Sequence, residues 1–368
     1  MLAKYNRLFF TCVIILAGCS AGRLNSKTGD SLSANELKPY GRYIVNSAQH
    51  IELISSAVHF GFSFQGKDCS IYASIPDANG HNYLQYELDG KYQKRIKITG
   101  NNSSPIVLSA DNAGAHTIWI YKATEAHTGP IIIEKIEAKN IRPIQPKTAP
   151  LIEFIGNSIT CGAAADPSEV PCGTGVYHDQ HNAYYAYGPR VARALGSNFL
   201  LSSVSGIGIY RNWNSDGPAM PQVYEKEDFQ DNNQQRWNFR NYSPAVVSIA
   251  LGTNDFSNGD GKKNRLPFDS AAFVTAYIKF VQLVKSKYPI ARIALLSSPM
   301  VNGGSRIKLQ NCLTAVKENI DKLYASPKQV ALYFFDPMQA HGCGGHPDLE
   351  DHAILAKQLV PFFRDLLK

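Results

Sequence analysis

The strongest constraint on the fold is a change of hydrophobic pattern at Pro150. After it, short apolar runs alternate with amphipathic stretches of helical period, including residues 270–288, 306–325 and 352–367. Strands that alternate with helices predict a parallel sheet that is covered on both faces. We expect its strands in the sequences LIEFIG, FLLSSVSG, AVVSIALG, RIALLSS and VALYFFD. This pattern is typical of a flavodoxin-like α/β domain with five parallel strands.

The chain before Pro150 has a different, β-rich pattern. Residues 38–142 contain several short runs of alternating apolar and polar side chains, and Asp89-Gly90 has the composition of a hairpin turn. Short strands at this spacing predict an all-β sandwich, here of jelly-roll-like type. Prolines are frequent in residues 143–150, which indicates a stiff linker. We therefore predict one domain over 38–142 and a second over 151–368.

Residues 1–19 have the features of an export signal. A basic start precedes an apolar core that is too short for a comfortable membrane span. The sequence Leu16-Ala17-Gly18-Cys19 resembles a bacterial lipobox, in which cleavage precedes the cysteine and its thiol is lipidated. An ordinary signal peptide with an incidental Cys19 is the alternative. The lipobox predicts a protein anchored by Cys19 to the bacterial cell envelope, facing the periplasm or the cell surface, with residues 20–37 as a tether.

Composition and charge exclude several classes of protein. The 368 residues are 44% hydrophobic and 18% charged, which fits a globular protein and neither a disordered chain nor a polytopic membrane protein. The formal net charge of +7 is spread along the chain without a block of lysines and arginines. Nucleic acid is therefore not an expected partner.

Polar residues follow several predicted strands at their carboxyl ends. Ser158 follows the first strand, Gly206 ends the second, Asn254 follows the third, and a loop with His341 and His346 follows the last. Each has a structural alternative: Ser158 and Asn254 as helix caps, the glycine as a turn residue, the histidines as loop residues. The carboxyl ends of parallel strands meet at one edge, however, and acyl transfer needs a nucleophile, a base and oxyanion donors close together. The set therefore predicts an acyl-transfer site.

These blocks resemble the SGNH or GDSL hydrolases, and within them carbohydrate esterase family 2. The similar segments are Gly156-Asn157-Ser158-Ile159-Thr160, Gly206, Gly252-Thr253-Asn254-Asp255 and His346-Pro347. A β-sandwich ahead of the hydrolase domain also matches this branch. The resemblance implies that Ser158 is the nucleophile and His346 the base. It implies an oxyanion hole made by the backbone N–H groups of Ser158 and Gly206 and the side-chain amide of Asn254.

The chain departs from the family pattern at two positions. Asn157 replaces the usual aspartate of the first block, and Cys343 replaces an aspartate that many members carry three residues before the base. We therefore expect a Ser158–His346 dyad in which a backbone carbonyl holds the histidine ring. Asp336 is the alternative acid, whereas Asp348 is expected to start the last helix.

Five cysteines remain outside the predicted signal, in a compartment where disulfides persist. We expect Cys161 to pair with Cys172 and Cys312 with Cys343, because each pair joins segments that flank the proposed site, and this leaves Cys69 free. The connectivity cannot be deduced from spacing alone. No cysteine and histidine spacing typical of zinc appears, so no metal and no cofactor are predicted.

The resemblance implies an esterase that removes O-acetyl groups from plant polysaccharide such as xylan or glucomannan. Trp213, in the loop after the second strand, is predicted either to stack on a sugar ring or to lie in the core. Two alternatives stay open: an esterase of another envelope substrate such as O-acetylated peptidoglycan, and an inactive glycan-binding lipoprotein. The acetylated sugar, the hydroxyl position and the oligomeric state also stay open.

Overall fold

The computed structural model describes residues 29–145, 147–324 and 329–368. The predicted signal peptide, the lipidation site Cys19 and the first part of the predicted tether lie outside the described residues. Over the ranges that are described, no helix is both long enough and apolar enough to cross a membrane.

The N-terminal domain consists of ten antiparallel strands with a common hydrophobic core. The longest strand, β10, pairs with β3 and β5 along its first part, with β1 from its middle onward and with β4 at its last two residues, so it joins two halves of the sheet. Alternate side chains from both halves meet in one core, as the alternating sequence pattern predicts. The strands are β1 (Gly29–Ser33), β2 (Tyr43–Val45), β3 (Ile51–Leu53), β4 (His59–Gln65), β5 (Asp68–Ser74), β6 (His81–Leu88), β7 (Lys91–Thr99), β8 (Ile106–Ser109), β9 (Ala115–Lys122) and β10 (Ile131–Pro143).

The C-terminal domain is built on a parallel sheet of five strands in the order β12-β11-β13-β14-β15. All six residues of β11 are buried, as expected for a strand covered on both faces. The predicted fold class, an all-β domain followed by a five-stranded parallel α/β domain, is confirmed. These strands are β11 (Leu151–Gly156), β12 (Asn198–Ser203), β13 (Val246–Ala250), β14 (Arg292–Leu296) and β15 (Val330–Tyr333).

Helices cover both faces of this sheet. Helices α5 and α6 pack together on one face, and α2 and α7 pack together on the other. The helix predicted from residue 306 begins three residues earlier, and α2 was not predicted. The helices are α1 (Ser158–Cys161), α2 (Tyr187–Leu195), α3 (Met220–Val223), α4 (Thr253–Phe256), α5 (Ser270–Lys287), α6 (Gly303–Leu323) and α7 (Leu349–Leu366).

The strand order reverses direction at β11, which has β12 on one side and β13 on the other. Ligands of doubly wound sheets bind at such a switch point, outside the carboxyl ends of the strands. Ser158 follows β11, Gly206 follows β12 and Asn254 follows β13. The fold therefore brings three of the predicted site residues to the same edge.

The two domains contact each other through polar side chains. The β6–β7 hairpin lies against the long loop between α1 and α2. The hydroxyl of Tyr83 donates to the carboxylate of Asp179 at 2.7 Å, and the amide of Gln85 donates to Asn182 at 2.6 Å. All four residues are buried. The N-terminal domain thus supports a loop that borders the proposed site.

Candidate active site

Ser158 lies where β11 ends and α1 begins. Asn157 caps α1, because its side-chain oxygen accepts a hydrogen bond from the N–H of Ile159 at 3.1 Å. Ser158 is the first helical residue and not the cap, so its hydroxyl is free for another partner. The strand must end in glycine here, since a Cβ at Gly156 would lie 2.0 Å from the hydroxyl oxygen of Thr160.

His346 is the hydrogen-bond partner of this serine. Its Nε2 lies 2.9 Å from Ser158 Oγ, and its Nδ1 lies 3.2 Å from the carbonyl oxygen of Cys343. A carbonyl only accepts, so Nδ1 carries the proton and Nε2 is the acceptor for the serine hydroxyl. Burial lowers the pKa of His346 below its ordinary value of about 6.5. The imidazole is therefore neutral at neutral pH and able to act as a base.

Neither aspartate considered in the sequence contacts the base. The side chain of Asp336 is 86% exposed and lies 3.4 Å from Arg306. Asp348 caps α7, and its carboxylate accepts a hydrogen bond from the N–H of Asp351 at 2.8 Å. In residues 29–145, 147–324 and 329–368, no carboxylate makes a hydrogen bond to the ring of His346.

The predicted disulfide pairings are wrong. The disulfide joins Cys172 to Cys343, with a Cα–Cα distance of 5.2 Å, and Cys161 and Cys312 are free and buried. Cys161 lies at the end of α1, where its thiol contacts Glu125 and Ser203, and Cys312 lies on the buried face of α6. The long loop between α1 and α2 brings Cys172 to the loop that carries His346, residues 334–348, which is called the base loop below. Sequence spacing does not reveal this contact. Cys69 is free, as expected.

Two of the three candidate oxyanion donors, Gly206 and Asn254, lie on adjoining turns. Gly206 adopts a φ of +74°, which favours glycine. One hydrogen of the Asn254 amide is donated to the carbonyl of Ile207 at 2.8 Å, which fixes the amide and leaves its second hydrogen for an oxyanion. The next residue, Asp255, is fully buried and accepts the N–H of Ile209 at 3.0 Å. The two turns are therefore tied to each other just after Gly206.

A cavity of about 360 Å³ opens beside Gly206. Trp213 borders it and is 44% exposed, so it is a surface side chain and not a core tryptophan. The N–H of Trp213 donates to the carbonyl of Gly206 at 2.8 Å, which holds the aromatic side chain next to the oxyanion turn. The N-terminal domain contributes His127 to the wall of this cavity. Other residues of the wall are Ser205, Gly206, Asn212, Trp213 and Phe229.

Sequence reasoning missed several residues around the site. The hydroxyl of Tyr177 lies 3.4 Å from Ser205 Oγ, and its ring centroid lies 6.2 Å from that of His346. Glu125, from the N-terminal domain, accepts the N–H of Ser205 at 2.6 Å, and His181 lies beside this carboxylate. These residues stand in loops whose sequence carries no motif, so no signal in a single sequence could have identified them.

Among the residues that the structure describes, two groups of side chains have ligand atoms close enough to hold a metal ion. In both groups the donors already bond to each other, such as His341 to Asp351 at 2.9 Å. Neither group includes Ser158 or His346. The groups are His81, His178 and Asp179 in the domain interface, and His341, Asp348 and Asp351 at the start of α7.

Two family models match the chain, one in each domain. The model described as carbohydrate esterase 2 N-terminal matches residues 40–146, and that of the GDSL-like lipase/acylhydrolase family matches residues 154–353. The second match alone covers more than half of the chain, and it contains Ser158, Gly206, Asn254 and His346.

Similar proteins cover nearly the whole chain. An acetylxylan esterase/glucomannan deacetylase of Cellvibrio japonicus is 27% identical over 362 residues, which cover 94% of this chain and 96% of that protein. A family two carbohydrate esterase from Clostridium thermocellum, solved with cellohexaose, has a TM-score of 0.76 at 26% identity and covers 90% of this chain and 99% of that one. A carbohydrate esterase family 2 enzyme from Corynascus thermopiles has a TM-score of 0.75 at 29% identity, with 90% and 99% covered. The chain belongs to carbohydrate esterase family 2, within the GDSL-like hydrolases, and is a carboxylic ester hydrolase.

Proposed function

We propose that this protein is a serine esterase that removes O-acetyl groups from plant polysaccharide, such as xylan or glucomannan. The observation that carries the proposal is the 2.9 Å contact between Ser158 Oγ and His346 Nε2. The cavity beside Gly206, with its exposed tryptophan, adds support. The Cellvibrio japonicus relative is named as an acetylxylan esterase and glucomannan deacetylase, and the Clostridium thermocellum relative is named as a carbohydrate esterase.

The first half-reaction acylates Ser158. Its Oγ attacks the acetyl carbonyl carbon while His346 Nε2 takes the hydroxyl proton. The carbonyl oxygen becomes an oxyanion that the N–H groups of Ser158 and Gly206 and the Asn254 amide stabilise. The intermediate collapses, the bond to the sugar oxygen breaks, and the imidazolium returns the proton to that oxygen. The sugar leaves as an alcohol, and the acetyl group remains on Ser158.

The second half-reaction uses water as the nucleophile. His346 accepts a proton from the water as its oxygen attacks the acetyl-serine carbonyl, and the same donors stabilise the second oxyanion. Collapse breaks the bond to Ser158 Oγ, which regains its proton from His346. Acetate leaves, and the enzyme returns to its starting state without a cofactor.

We propose that catalysis uses a Ser158–His346 dyad. The contact of Nδ1 with the Cys343 carbonyl supports it, because this bond orients the ring without a carboxylate. We expect Asp336→Asn and Asp348→Asn each to lower kcat less than about tenfold, whereas His346→Ala removes nearly all activity. Acetate release at saturating substrate measures this. A loss of about 10³-fold in either aspartate variant, with unchanged circular dichroism, would establish a triad instead.

The exposed face of Trp213 supports a sugar as the alcohol part of the substrate, because aromatic rings stack on the apolar faces of pyranoses. Acetate release from acetylated xylan, acetylated glucomannan and O-acetylated peptidoglycan, with Ser158→Ala as the matched control, tests the substrate class. We expect release from the plant polysaccharides. Release only from peptidoglycan would favour the envelope esterase, and binding of glycan without any release would favour the inactive binding protein.

We also propose that the protein is exported and anchored by a lipid on Cys19, as the lipobox-like sequence Leu16-Ala17-Gly18-Cys19 suggests. The several acyl chains of a bacterial lipoprotein hold a protein firmly to a membrane. Detergent phase separation of wild type and Cys19→Ser tests this. We expect the wild type in the detergent phase, and its complete recovery from the aqueous phase would refute the anchor.

A further inference from the structure

The N-terminal domain reaches the active site through the short segment that follows β9. Glu125 stands in this segment and is 3% exposed. Lys122, which is fully buried, holds the segment in place: its Nζ donates to the carbonyl of Ile54 at 2.9 Å and to the carbonyl of Glu125 at 2.5 Å. The backbone that carries Glu125 is therefore fixed from within its own domain.

The carboxylate of Glu125 contacts two of the three segments that carry the oxyanion donors, those of Ser158 and Gly206. Oε2 accepts the backbone N–H of Ser205 at 2.6 Å, and Ser205 immediately precedes Gly206. The same oxygen lies 3.6 Å from the thiol of Cys161, the last residue of the helix that begins with Ser158. One carboxylate thus lies against the turn after β12 and the helix after β11.

Glu125 is ionised in this position. Burial raises its pKa, but the contacts with His181 and the N–H of Ser205 outweigh burial and bring the pKa to about 2. His181 Nδ1 accepts the N–H of Ala164 at 3.3 Å, so the proton of the ring is on Nε2, which faces Glu125 Oε1 at 3.5 Å. A buried carboxylate is costly unless such donors surround it.

The peptide that precedes Gly206 is held on both sides. Glu125 holds the N–H of Ser205, and Trp213 donates to the carbonyl of Gly206 at 2.8 Å. Within the described residues the N–H of Gly206 itself has no hydrogen-bond partner. Because the Ser205 N–H and the Gly206 carbonyl are both held, the direction of the Gly206 N–H is fixed as well. Without these two bonds the glycine would let the backbone of this turn adopt other conformations. Such preorganisation gives an oxyanion donor its catalytic value.

We propose that Glu125 is a positioning residue of the active site, supplied by the N-terminal domain, which aims the Gly206 N–H at the oxyanion by holding Ser205. The role rests on the acyl-transfer mechanism proposed above and not on the identity of the glycan. It makes the N-terminal domain part of the catalytic structure.

Hydrolysis of p-nitrophenyl acetate by wild type, Glu125→Ala and Glu125→Gln tests this role. We expect Glu125→Ala to lower kcat by about 10- to 100-fold, below the 10²- to 10³-fold typical of removing a donor, with KM changed less than about threefold. Glutamine keeps an oxygen that can accept the Ser205 N–H, so Glu125→Gln should keep kcat within about fivefold. The inhibition constant of methaneboronic acid, whose adduct with serine places an oxygen in the oxyanion hole, should rise in proportion to the loss of kcat.

Glu87→Ala is the matched control. Glu87 is also a buried carboxylate of the N-terminal domain, and it bonds to Tyr121 at 2.9 Å and to Tyr184 of the hydrolase domain. We expect this variant to lower the unfolding midpoint and leave kcat and methaneboronic acid binding unchanged. Equal loss of kcat in both alanine variants, or wild-type kcat in Glu125→Ala, would overturn the positioning role alone. A wild-type protein that does not hydrolyse the ester would overturn the mechanism and this role with it.

Discussion

His346 acts as a base only in its neutral form, so its pKa sets the acidic limit of activity. Burial disfavours the imidazolium and lowers this pKa below about 6.5. The neutral form therefore persists to lower pH than for a free histidine. We expect kcat/KM for p-nitrophenyl acetate to be constant near neutral pH and to fall tenfold per pH unit below a midpoint under 6.5. A midpoint above 7 would indicate that a carboxylate stabilises the imidazolium.

Asn254 is predicted to act on the transition state more than on bound substrate. Its amide is fixed by the Ile207 carbonyl and offers one hydrogen to the charge that develops on the acyl oxygen. We expect Asn254→Ala to lower kcat by about 10²- to 10³-fold with KM changed less than about threefold. Steady-state kinetics separate the two constants. A large rise in KM at unchanged kcat would make Asn254 a binding residue.

Single site residues could be predicted from the sequence where a motif directly follows a predicted strand. Ser158 and His346 could be paired from the order of the motifs, because the carboxyl ends of parallel strands meet. A backbone carbonyl as the partner of the base could be anticipated once the expected aspartate was missing, but the sequence did not indicate that it would be that of Cys343. Glu125 could not, since it stands 33 residues before Ser158 in another domain. A contact made across a domain boundary leaves no pattern in local sequence.

Among the elements, the loop between α1 and α2 determines how firmly the base is held. The Cys172–Cys343 disulfide connects this loop to the base loop. We expect Cys172→Ser, which leaves every residue of the base loop unchanged, to lower kcat/KM about tenfold. Its unfolding free energy should fall by about 2–5 kcal/mol. Kinetics and urea unfolding measure the two effects.

Chemical reduction of the disulfide in the wild type provides a comparison with the Cys172→Ser variant, because both remove the same bond. A reductant should lower wild-type activity to the level of Cys172→Ser and leave the variant itself unchanged. Cys312→Ala is the cysteine control, since this thiol is free on the inner face of α6. Full activity of Cys172→Ser would show that packing alone holds the base loop.

Predicted and observed elements agree best where periodicity is strong. The long helices α5, α6 and α7 and all five parallel strands were expected from their apolar patterns. Helix α2 was missed because it is only nine residues long and follows an irregular loop. Helix α6 begins at Gly303, three residues before the predicted start. The prediction began late because the two glycines of the first helical turn suggest a loop in the sequence.

For the molecule as a whole, the domain interface contains a buried histidine. His59 of β4 stacks on Tyr121 and on Phe199 of β12, with ring centroids 5.0 and 4.6 Å away. Burial lowers the pKa of His59 to about 4, against about 6.5 in an unfolded chain. Between these values the unfolded chain binds the proton more readily, so stability is lost as pH falls from 6.5 towards 4.

We therefore expect the unfolding free energy of the wild type to be lower at pH 5 than at pH 7, with about 2 kcal/mol of the difference due to His59. In the variant His59→Phe, the difference in unfolding free energy between pH 7 and pH 5 should be smaller than in the wild type by about 2 kcal/mol. Urea unfolding at the two pH values measures it. His352, whose burial lowers its pKa to about 3, contributes in the same direction, so some pH dependence should remain. An equal pH dependence in both proteins would contradict the assignment.

The sequence predicted two kinds of domain but not how they pack together. The change of hydrophobic pattern at Pro150 separates a region of alternating β pattern from a region in which strands alternate with helices. The fold class of each domain could be predicted from these two patterns. Their interface is rich in buried polar side chains, such as Tyr83 with Asp179 and Gln85 with Asn182. Hydrophobic periodicity reports apolar faces only, so this polar contact could not be read from the pattern.

The disulfide also has a consequence for a chain that has been cut. Ser158 precedes Cys172 and His346 follows Cys343, and the two cysteines are 171 positions apart. A protease that cleaves any exposed loop between them, such as the stretch 260–264 with its two lysines, yields two fragments that remain covalently joined. One fragment carries the serine and the other the histidine. Nicked enzyme should therefore migrate as one band until it is reduced, with its nucleophile and base still tethered to each other.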